Sequence, residues 1–361
     1  MKSSDNSIQK WRNTPPEIRE AAFSTTDSQS RTSMTVDGPY AIDAGSGQFL
    51  HGPCVTRCAN GDWIVAYQDA LDDPGRESVI RQRRSTDGGI RWVDEGIVYD
   101  ERKEGFGARN PAFGQTPSGK ILMIVQRVGL RRLGLVRGEN IMGSVALVSS
   151  DNGKTYHSKG VIDKKIRQGH QGCSTHLVYH NGELLMPAFH PKGLVLYISS
   201  DEGETWQERI VVAPREEFNE TPAYPTVIPR PDGSLLFLAH LNRAVRCFRR
   251  ISADGGRTWG EIQLCKDIQL RHPVLGYVGN TMICAGRNMN VWKPALCVSP
   301  DHGETWSEMI DLLPERPSGG GYTALWPTEN KNKVLIVTST SGSTPAAQDI
   351  AGLFIEDIQI Y

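Results

Sequence analysis

The chain has 361 residues, of which 38% are hydrophobic and 22% are charged. Its 40 Lys and Arg residues against 41 Asp and Glu residues leave a formal net charge of −1. This balance argues against a general nucleic-acid-binding protein, because such proteins present a basic surface. A net charge near zero with abundant apolar residues also argues against intrinsic disorder. The longest apolar stretches are far shorter than the roughly 18–20 residues that a membrane span requires.

The first 40 residues are rich in Ser, Thr, Asp and Gln. This composition predicts a polar lead-in over residues 1–40, with a short helix after Pro15-Pro16. The segment contains no apolar stretch of the kind found in secretory signals, so we predict a cytoplasmic protein. The seven cysteines are never spaced Cys-x-x-Cys, which predicts buried, reduced thiols rather than a zinc site.

The pattern Ser-x-Asp-x-Gly-x-Thr-Trp then recurs five times, with one substitution in each of the first two copies. The copies occupy residues 85–92, 149–156, 199–206, 252–259 and 299–306. Each copy predicts a hairpin turn, in which the Asp accepts backbone N–H bonds and the Gly adopts a positive φ. Each copy follows a β-rich run, and in four units an earlier hairpin signal precedes that run, at Asn60-Gly61, Ser118-Gly119, Asn181-Gly182 and Asp232-Gly233. Four strands in a unit of about 50 residues are typical of a propeller blade.

This motif resembles the Asp box, or BNR repeat, of the sialidase (neuraminidase) superfamily. The resemblance covers roughly residues 45–361. It implies an all-β fold, a six-bladed β-propeller of four-stranded antiparallel blades, which we expect as a single domain over residues 41–361. It also implies that the Asp boxes lie on the face opposite the active site, where they stabilise the scaffold.

Polar residues recur where the predicted blades open. Four openings share a polar-x-Pro pattern, and the repeat period adds two more, which gives the set His51, Arg109, His170, Glu220, Arg271 and Tyr322. The second strand of each blade returns to the same mouth and adds Gln68, Asp69, Gln126, Arg127, His190, His240 and Arg287. These residues predict a funnel made cationic by its four arginines. Because Arg binds a carboxylate with two parallel hydrogen bonds, we predict an anionic sugar as the ligand.

The resemblance also implies three catalytic residues. Tyr322 stands where sialidases have their nucleophile, Glu220 follows Asn as does the Glu that activates it, and Asp72 fits the loop that carries the acid/base. A neutral phenol approaches an anomeric carbon bearing a carboxylate without repulsion, but with a pKa near ~10 it needs a base. Asp72 would protonate the leaving oxygen and then activate water. Tyr nucleophiles are a known exception to the two-carboxylate rule of glycosidases.

The sequence departs from the family at the substrate carboxylate. Sialidases bind it with three arginines, and two of these positions are histidines here, His51 and His240, whereas Arg287 keeps the third. Two hypotheses follow: either Arg109 and Arg271 compensate from neighbouring blades, or the substrate is not sialic acid. Because histidine gains its charge near pH ~6–7, the exchange predicts anion binding that strengthens from pH about 8 to about 6.

Three function classes remain open at this point. The first is a sialidase-like exo-glycosidase that hydrolyses a terminal anionic sugar. The second is a polysaccharide lyase or uronate-directed hydrolase, in which His51, His170 or His240 pairs with Tyr322 to move a proton. The third is a non-catalytic glycan-binding propeller. All three have a carbohydrate partner and need no cofactor, nucleic acid or membrane, and no metal-ligand spacing is recognisable.

Overall fold

A computed structural model describes residues 17–24, 31–71, 77–129, 141–162, 176–220, 222–243, 245–342 and 347–360. These residues form 25 β-strands and two short 3-10 turns, Arg102–Glu104 and Arg215–Glu217, and contain no α-helix. The predicted all-β class is therefore confirmed. Within the described ranges, no helical segment has the length and apolar character needed to cross a membrane.

The strands are numbered in chain order. The first six are β1 (Glu17–Ser24), β2 (Arg31–Asp43), β3 (Phe49–Arg57), β4 (Trp63–Ala70), β5 (Val79–Ser85) and β6 (Val93–Tyr99). The next eight are β7 (Phe106–Gln115), β8 (Ile121–Gly129), β9 (Ile141–Ser149), β10 (His157–Val161), β11 (Val178–His180), β12 (Glu183–His190), β13 (Gly193–Ser199) and β14 (Gln207–Pro214). The last eleven are β15 (Pro222–Pro229), β16 (Leu235–Leu241), β17 (Arg246–Ser252), β18 (Gln263–Cys265), β19 (Leu270–Val278), β20 (Thr281–Asn288), β21 (Lys293–Ser299), β22 (Ile310–Asp311), β23 (Gly320–Pro327), β24 (Lys333–Ser341) and β25 (Gln348–Ile360).

Four separate sheets have the architecture of propeller blades. They consist of β7–β10, β11–β14, β15–β18 and β19–β22, and in each sheet consecutive strands pair antiparallel. The predicted hairpin signals lie where the first strand of a sheet turns into the second, for example Ser118-Gly119 between β7 and β8. The Asp boxes lie between the third and fourth strands.

The remaining nine strands form one larger sheet. The strands β3–β6 form one antiparallel group, and β1, β2, β25, β24 and β23 form a second, in that spatial order. Among the described residues the two groups meet through one parallel pair, Gln348 of β25 with Phe49 of β3.

The N-terminal segment is not the helix-bearing lead-in that its composition suggests. The helix predicted after Pro15-Pro16 is wrong, because β1 occupies residues 17–24 and pairs with β2. The second strand, β2, pairs in turn with β25. Met34 and Val36 alternate with less buried residues along β2 and pack in the same core cluster as Leu353 and Ile355. Burial of these apolar side chains outweighs the polar composition of the segment.

Each Asp box forms the same hydrogen-bonded turn. In the third box, the Ser199 hydroxyl donates to the Asp201 carboxylate at 2.7 Å and accepts from the Gly203 N–H at 2.8 Å, while the Thr205 N–H donates to Asp201 at 2.9 Å. Equivalent bonds recur in the other four boxes. These bonds satisfy the backbone N–H groups of a tight turn, as the motif predicts.

The boxes lie at the end of the sheet away from the strand openings. On β4, Trp63 pairs with the box residue Ser85, whereas Gln68 near the other end of the strand pairs with His51. The box and the opening of this group are therefore separated by the length of β4.

The hydrophobic core lies between neighbouring sheets. One cluster joins Leu122 of β8 to Leu184 of β12, and another joins Leu238 of β16 to Met282 of β20. Six cysteines are free and buried, as predicted, namely Cys54, Cys58, Cys247, Cys265, Cys284 and Cys297. Cys173 lies outside the described residues.

Candidate functional site

A β-bulge interrupts five of the strands that open a group, β3, β7, β15, β19 and β23. A bulge re-aims the side chains of a strand and often borders a functional site. Each bulge contains a residue with positive φ, and these residues are Gly52 (54°), Asn110 (42°), Tyr224 (53°), His272 (56°) and Gly321 (87°). The region before β11 that would hold the sixth opening, including His170, lies outside the described residues.

Two of these positions need glycine because other residues approach closely. A Cβ atom on Gly52 would lie 2.8 Å from Oδ1 of Asn110, and one on Gly321 would lie 2.9 Å from Cβ of Arg287. The absence of a side chain lets Asn110 and Arg287 reach the openings of the neighbouring groups.

The bulges correct the predicted register of two openings. The bulge of β23 falls between Gly320 and Thr323, so Tyr322 occupies the third position of its opening, where His51-Gly52-Pro53 has the proline, and not the first. The bulge of β15 falls between Ala223 and Thr226, so the opening equivalent to Arg271-His272-Pro273 is Ala223-Tyr224-Pro225. The predicted opening Glu220-Thr221-Pro222 is therefore three residues too early. The pattern was misleading because two tripeptides that end in Pro follow each other directly, Glu220-Thr221-Pro222 and Ala223-Tyr224-Pro225. Only the first begins with a polar residue, as the polar-x-Pro pattern requires.

Tyr322 lies at the centre of an aromatic cluster. It is 8% exposed, and its ring centroid lies 3.8 Å from that of His51, 3.7 Å from that of His272 and 6.3 Å from that of Tyr224. Burial and then Tyr224 raise the pKa of the Tyr322 hydroxyl, although Arg287 and Arg271 act in the opposite direction. The phenol is therefore neutral near pH 7 and needs a base before it can react as a nucleophile.

Two arginines are held against the tyrosines. The Arg287 guanidinium carbon lies 4.5 Å from the Tyr322 ring centroid, and its Nε donates to the Gly320 carbonyl. The Arg271 guanidinium lies 5.2 Å from the Tyr224 ring centroid and donates from Nη2 to the Tyr224 hydroxyl at 2.8 Å. Contacts of this kind fix a guanidinium over an aromatic face. The structure thus brings Arg271 and Arg287 together with Tyr322, and makes this part of the site cationic.

His51 has a defined tautomer. Its Nδ1 lies 2.9 Å from Oε1 of Gln348, and because an amide oxygen only accepts, Nδ1 carries the hydrogen and Nε2 keeps its lone pair. Nε2 is buried and has no hydrogen-bond partner within the part of the chain that the structure describes. Burial and then Arg287 lower the pKa of His51 well below its usual value, so the ring is neutral near pH 7.

His240 and His272 are neutral for the same physical reasons. Burial and then Arg271 lower the pKa of His240 to about 4. Burial and then Arg271 also lower the pKa of His272, with smaller contributions from His51 and Arg287. The expectation that His51 and His240 gain charge between pH 8 and 6 is therefore wrong, because buried histidines beside arginines resist protonation.

The other predicted residues are placed less uniformly. Arg109 pairs with Gln126 across β7 and β8 and lies close enough to His51 to lower its pKa. Arg127 points to Glu101, with 2.6 Å between Nε and the carboxylate, and stacks on Phe106. His190 lies 3.4 Å from the Glu208 carboxylate.

Of the two predicted carboxylates, only Glu220 lies among the described residues. Glu220 is half-buried and accepts a hydrogen bond from the backbone N–H of Arg243. Asp72 lies outside the described residues. Among the residues that the structure describes, no group of three or more His, Cys, Asp or Glu is arranged to hold a metal ion.

Comparison with known protein families identifies the family of this chain. The model of the BNR repeat-like domain family matches residues 61–336. The chain belongs to this family. The resemblance that the Asp boxes carry is therefore confirmed for this BNR repeat-like protein. No functionally curated protein is significantly similar to its sequence.

Solved structures share the fold of this BNR repeat-like protein at low sequence identity. A Dyadobacter fermentans protein of unknown function aligns with a TM-score of 0.73 and 19% identity, over 88% of this chain and 97% of that one. The α-L-arabinanase of Penicillium chrysogenum, complexed with arabinobiose, aligns with a TM-score of 0.67 and 14% identity, over 88% and 97% of the two chains. The NanB sialidase of Streptococcus pneumoniae aligns with a TM-score of 0.68 and 12% identity, over 89% and 71%.

Three residues of the BNR repeat-like site were not predicted from the sequence. Tyr224 and His272 adopt positive φ angles before prolines, which is costly for bulky side chains and typical of strained functional sites. Both are the middle residue of a tripeptide that ends in Pro at the opening of a group. This shared position is the sequence feature that could have identified them as site residues. Gln348 approaches His51 from the far end of the chain, and no local pattern identifies such a contact.

Proposed function

We propose that this protein is a glycoside hydrolase that acts on a terminal acidic, sialic-acid-like sugar, with Tyr322 as the nucleophile. One observation carries the proposal: Arg271 and Arg287 are held against Tyr224 and Tyr322, so two guanidinium groups border a buried phenol. Guanidinium groups bind carboxylates, and a phenol attacks an anomeric carbon without charge repulsion from that carboxylate.

The proposed reaction moves two protons. The Tyr322 oxygen bonds to the anomeric carbon as its proton passes to a base, and the glycosidic oxygen leaves with a proton from an acid. By resemblance, Glu220 is the base and Asp72 is the acid, and both roles remain predictions. Water then hydrolyses the glycosyl–tyrosine bond: the acid, which lost its proton to the leaving group, regains one from the attacking water, and the base returns its proton to the Tyr322 oxygen.

The structural neighbours support a glycan substrate. Their names include a sialidase and an arabinanase complexed with arabinobiose, so this fold accommodates glycan hydrolysis in other proteins. The position of Arg271 and Arg287 favours an acidic sugar over an uncharged one. We keep Arg109, Arg127, His170, His190 and His240 as predicted substrate-binding residues.

A second function is favoured by His51. Its Nε2 is buried, carries a lone pair and has no hydrogen-bond partner among the described residues, so it is available to accept a proton. In a uronate lyase, His51 would take the C5 proton next to the carboxylate, Tyr322 would protonate the leaving oxygen at C4, and a C4–C5 double bond would form. Arg271 and Arg287 would neutralise the carboxylate during proton removal.

We further propose that the nine-stranded sheet comprises the first and sixth blades of a six-bladed propeller. A core cluster that joins Leu296 of β21 to Ile336 of β24 supports this count. A second cluster joins Tyr67 of β4 to Val337 of β24 and supports a closed ring. The cytoplasmic location remains a prediction.

Analysis of reaction products tests these functions. Purified protein is incubated with sialosides, uronides, acidic polysaccharides and arabinan. A hydrolase releases reducing sugar from an acidic substrate, whereas a lyase generates an unsaturated uronate that absorbs ultraviolet light. Binding of an acidic glycan without product would indicate the non-catalytic propeller. Cleavage of arabinan with no action on acidic glycans would contradict the proposed substrate.

A further inference from the structure

Trp292 is an exposed aromatic side chain at the mouth of the site. It lies in the turn between β20 and β21, and it is 49% exposed. The strand β20 ends at this turn just after Arg287, whose partner across the sheet is Arg271. The turn therefore belongs to the end of the sheet that carries the candidate site.

The turn holds Trp292 in a fixed and strained conformation. The φ angle of Trp292 is 57°, which is costly for a residue with a large side chain. Its N–H donates to the Asn288 carbonyl at 2.8 Å, and its carbonyl accepts from the Gly319 N–H at 2.7 Å. The Ser318 hydroxyl donates to the Val291 carbonyl at 2.9 Å. These bonds anchor the turn to the segment that leads into Tyr322, so the exposure of the ring is built into the fold.

The ring of Trp292 continues the site outwards. The Arg287 guanidinium carbon lies 5.3 Å from the Trp292 ring centroid and 4.5 Å from the Tyr322 ring centroid. One guanidinium group therefore separates the proposed nucleophile from the exposed indole. A ligand whose carboxylate binds Arg287 would place its next unit close to Trp292.

We propose that Trp292 is a stacking platform for the second sugar of the substrate, the one that leaves when the acidic sugar is transferred to Tyr322. This inference rests on the proposed function and adds a subsite to it. The C–H face of a pyranose is apolar and matches an exposed aromatic face, whereas its hydroxyl edge stays in water. A single exposed ring of this size suits one sugar unit better than a protein partner, which needs a larger apolar patch.

Substrates that differ only in the second sugar test the platform. One pair is sialyllactose and methyl sialoside, and the other is glucuronosyl-glucose and methyl glucuronide. The experiment uses the pair that the wild-type protein binds. We expect Trp292→Ala to lower the ratio of kcat/KM for the oligosaccharide to that for the methyl glycoside roughly tenfold, and Trp292→Phe to retain most of it.

The matched control is Tyr179→Ala. Tyr179 is 44% exposed on β11, but it lies beside the Asn181-Gly182 turn at the opposite end of its sheet. We expect this variant to leave the ratio unchanged. An equal loss for both substrates in Trp292→Ala would overturn the platform, because the ring would then act only by holding Arg287, and an unchanged ratio would overturn it as well.

Calorimetric titration separates this inference from the function on which it rests. If the wild-type protein binds neither acidic pair, the proposed function and the platform both fail. If it binds the acidic disaccharide with the same Kd as Trp292→Ala does, only the platform fails. A Kd for the disaccharide that rises roughly tenfold in Trp292→Ala supports it, even in a lyase that shares the subsite.

Discussion

Three buried histidines of the candidate site add no positive charge near pH 7, and two of them, His51 and His272, pack against Tyr322. His51, His240 and His272 are each at most 2% exposed, and burial and arginines lower all three pKa values. Among the described residues of the site, the positive charge therefore comes from arginine and not from these histidines. We expect the affinity for an acidic ligand to stay flat from pH 8 to 6, in contrast to what the exchange of Arg for His suggests.

The same burial makes the stability of the folded protein depend on pH. The pKa of His240 is about 4 in the folded state against 6.5 for an unperturbed histidine. Between these values the unfolded chain binds a proton that the folded chain does not, so stability falls as the pH falls through this window. For His240 alone the loss from pH 7 to pH 5 is about 2 kcal/mol.

Urea unfolding of the variant His240→Asn at pH 7 and pH 5 checks this prediction. We expect the variant to lose less stability than the wild-type protein does on acidification. The matched control His157→Asn removes an exposed histidine of β10. We expect this control to lose as much stability between pH 7 and pH 5 as the wild-type protein does. If His240→Asn loses as much stability on acidification as the wild-type protein, the lowered pKa of His240 is contradicted.

At the residue scale, spacing identified much of the site but not its register. His51, Arg271, Arg287 and Tyr322 were all predicted, and the structure places them within one cluster. The prediction placed Glu220 at the opening of β15, where the structure has Tyr224. The blades were aligned by a polar residue two positions before a proline, whereas the structural feature that the openings share is a residue with positive φ. Gln348 depends on contact between distant parts of the chain, which spacing does not encode.

At the scale of the element, the Asp boxes share their hydrogen bonds but differ in the burial of their aromatic residue. Trp306 is 4% exposed and packs in the cluster between β16 and β20, whereas Trp206 is only partly buried at the edge of its cluster. The motif predicts the turn and its bonds well, because both are local. It does not predict burial, which depends on the neighbouring sheet.

This difference gives a matched pair of variants. We expect Trp306→Ala to lower the free energy of unfolding by about 3–5 kcal/mol, and Trp206→Ala to lower it by less, because less apolar surface is lost. Urea unfolding measures both. Since the boxes lie away from the openings, turnover by folded protein is expected to persist. Equal losses of stability, or inactive folded Trp306→Ala, would contradict this account.

At the scale of the whole molecule, strands from both ends of the chain share one sheet. β2 pairs with β25 and contributes Met34 and Val36 to a core cluster. The alternation of apolar residues in β2 is typical of a strand. It was not recognised, because the surrounding segment is polar and because the partner strand, β25, lies at the other end of the chain. Topology of this kind follows from long-range pairing, which a local pattern does not specify.

Two truncations test the role of β2. A chain that lacks residues 1–30 keeps β2, whereas one that lacks residues 1–43 exposes the pairing edge of β25 and the apolar side chains beneath β2. We expect the shorter truncation to unfold cooperatively near the wild-type temperature, and the longer one to be strongly destabilised or to aggregate. Thermal unfolding followed by circular dichroism measures both. Equal stability of the two chains would contradict the role of β2 in the core.

The central claim is that Tyr322 forms a covalent bond with an acidic sugar. Mass spectrometry of the protein after incubation with a fluorinated acidic glycoside, which slows hydrolysis of the intermediate, tests it most directly. We predict a mass increase of one sugar, located on the peptide that contains Tyr322 and absent from Tyr322→Phe, with Tyr277→Phe of β19 as the control that retains it. A sugar located on a carboxylate, or an unsaturated product released without any adduct, would contradict the account.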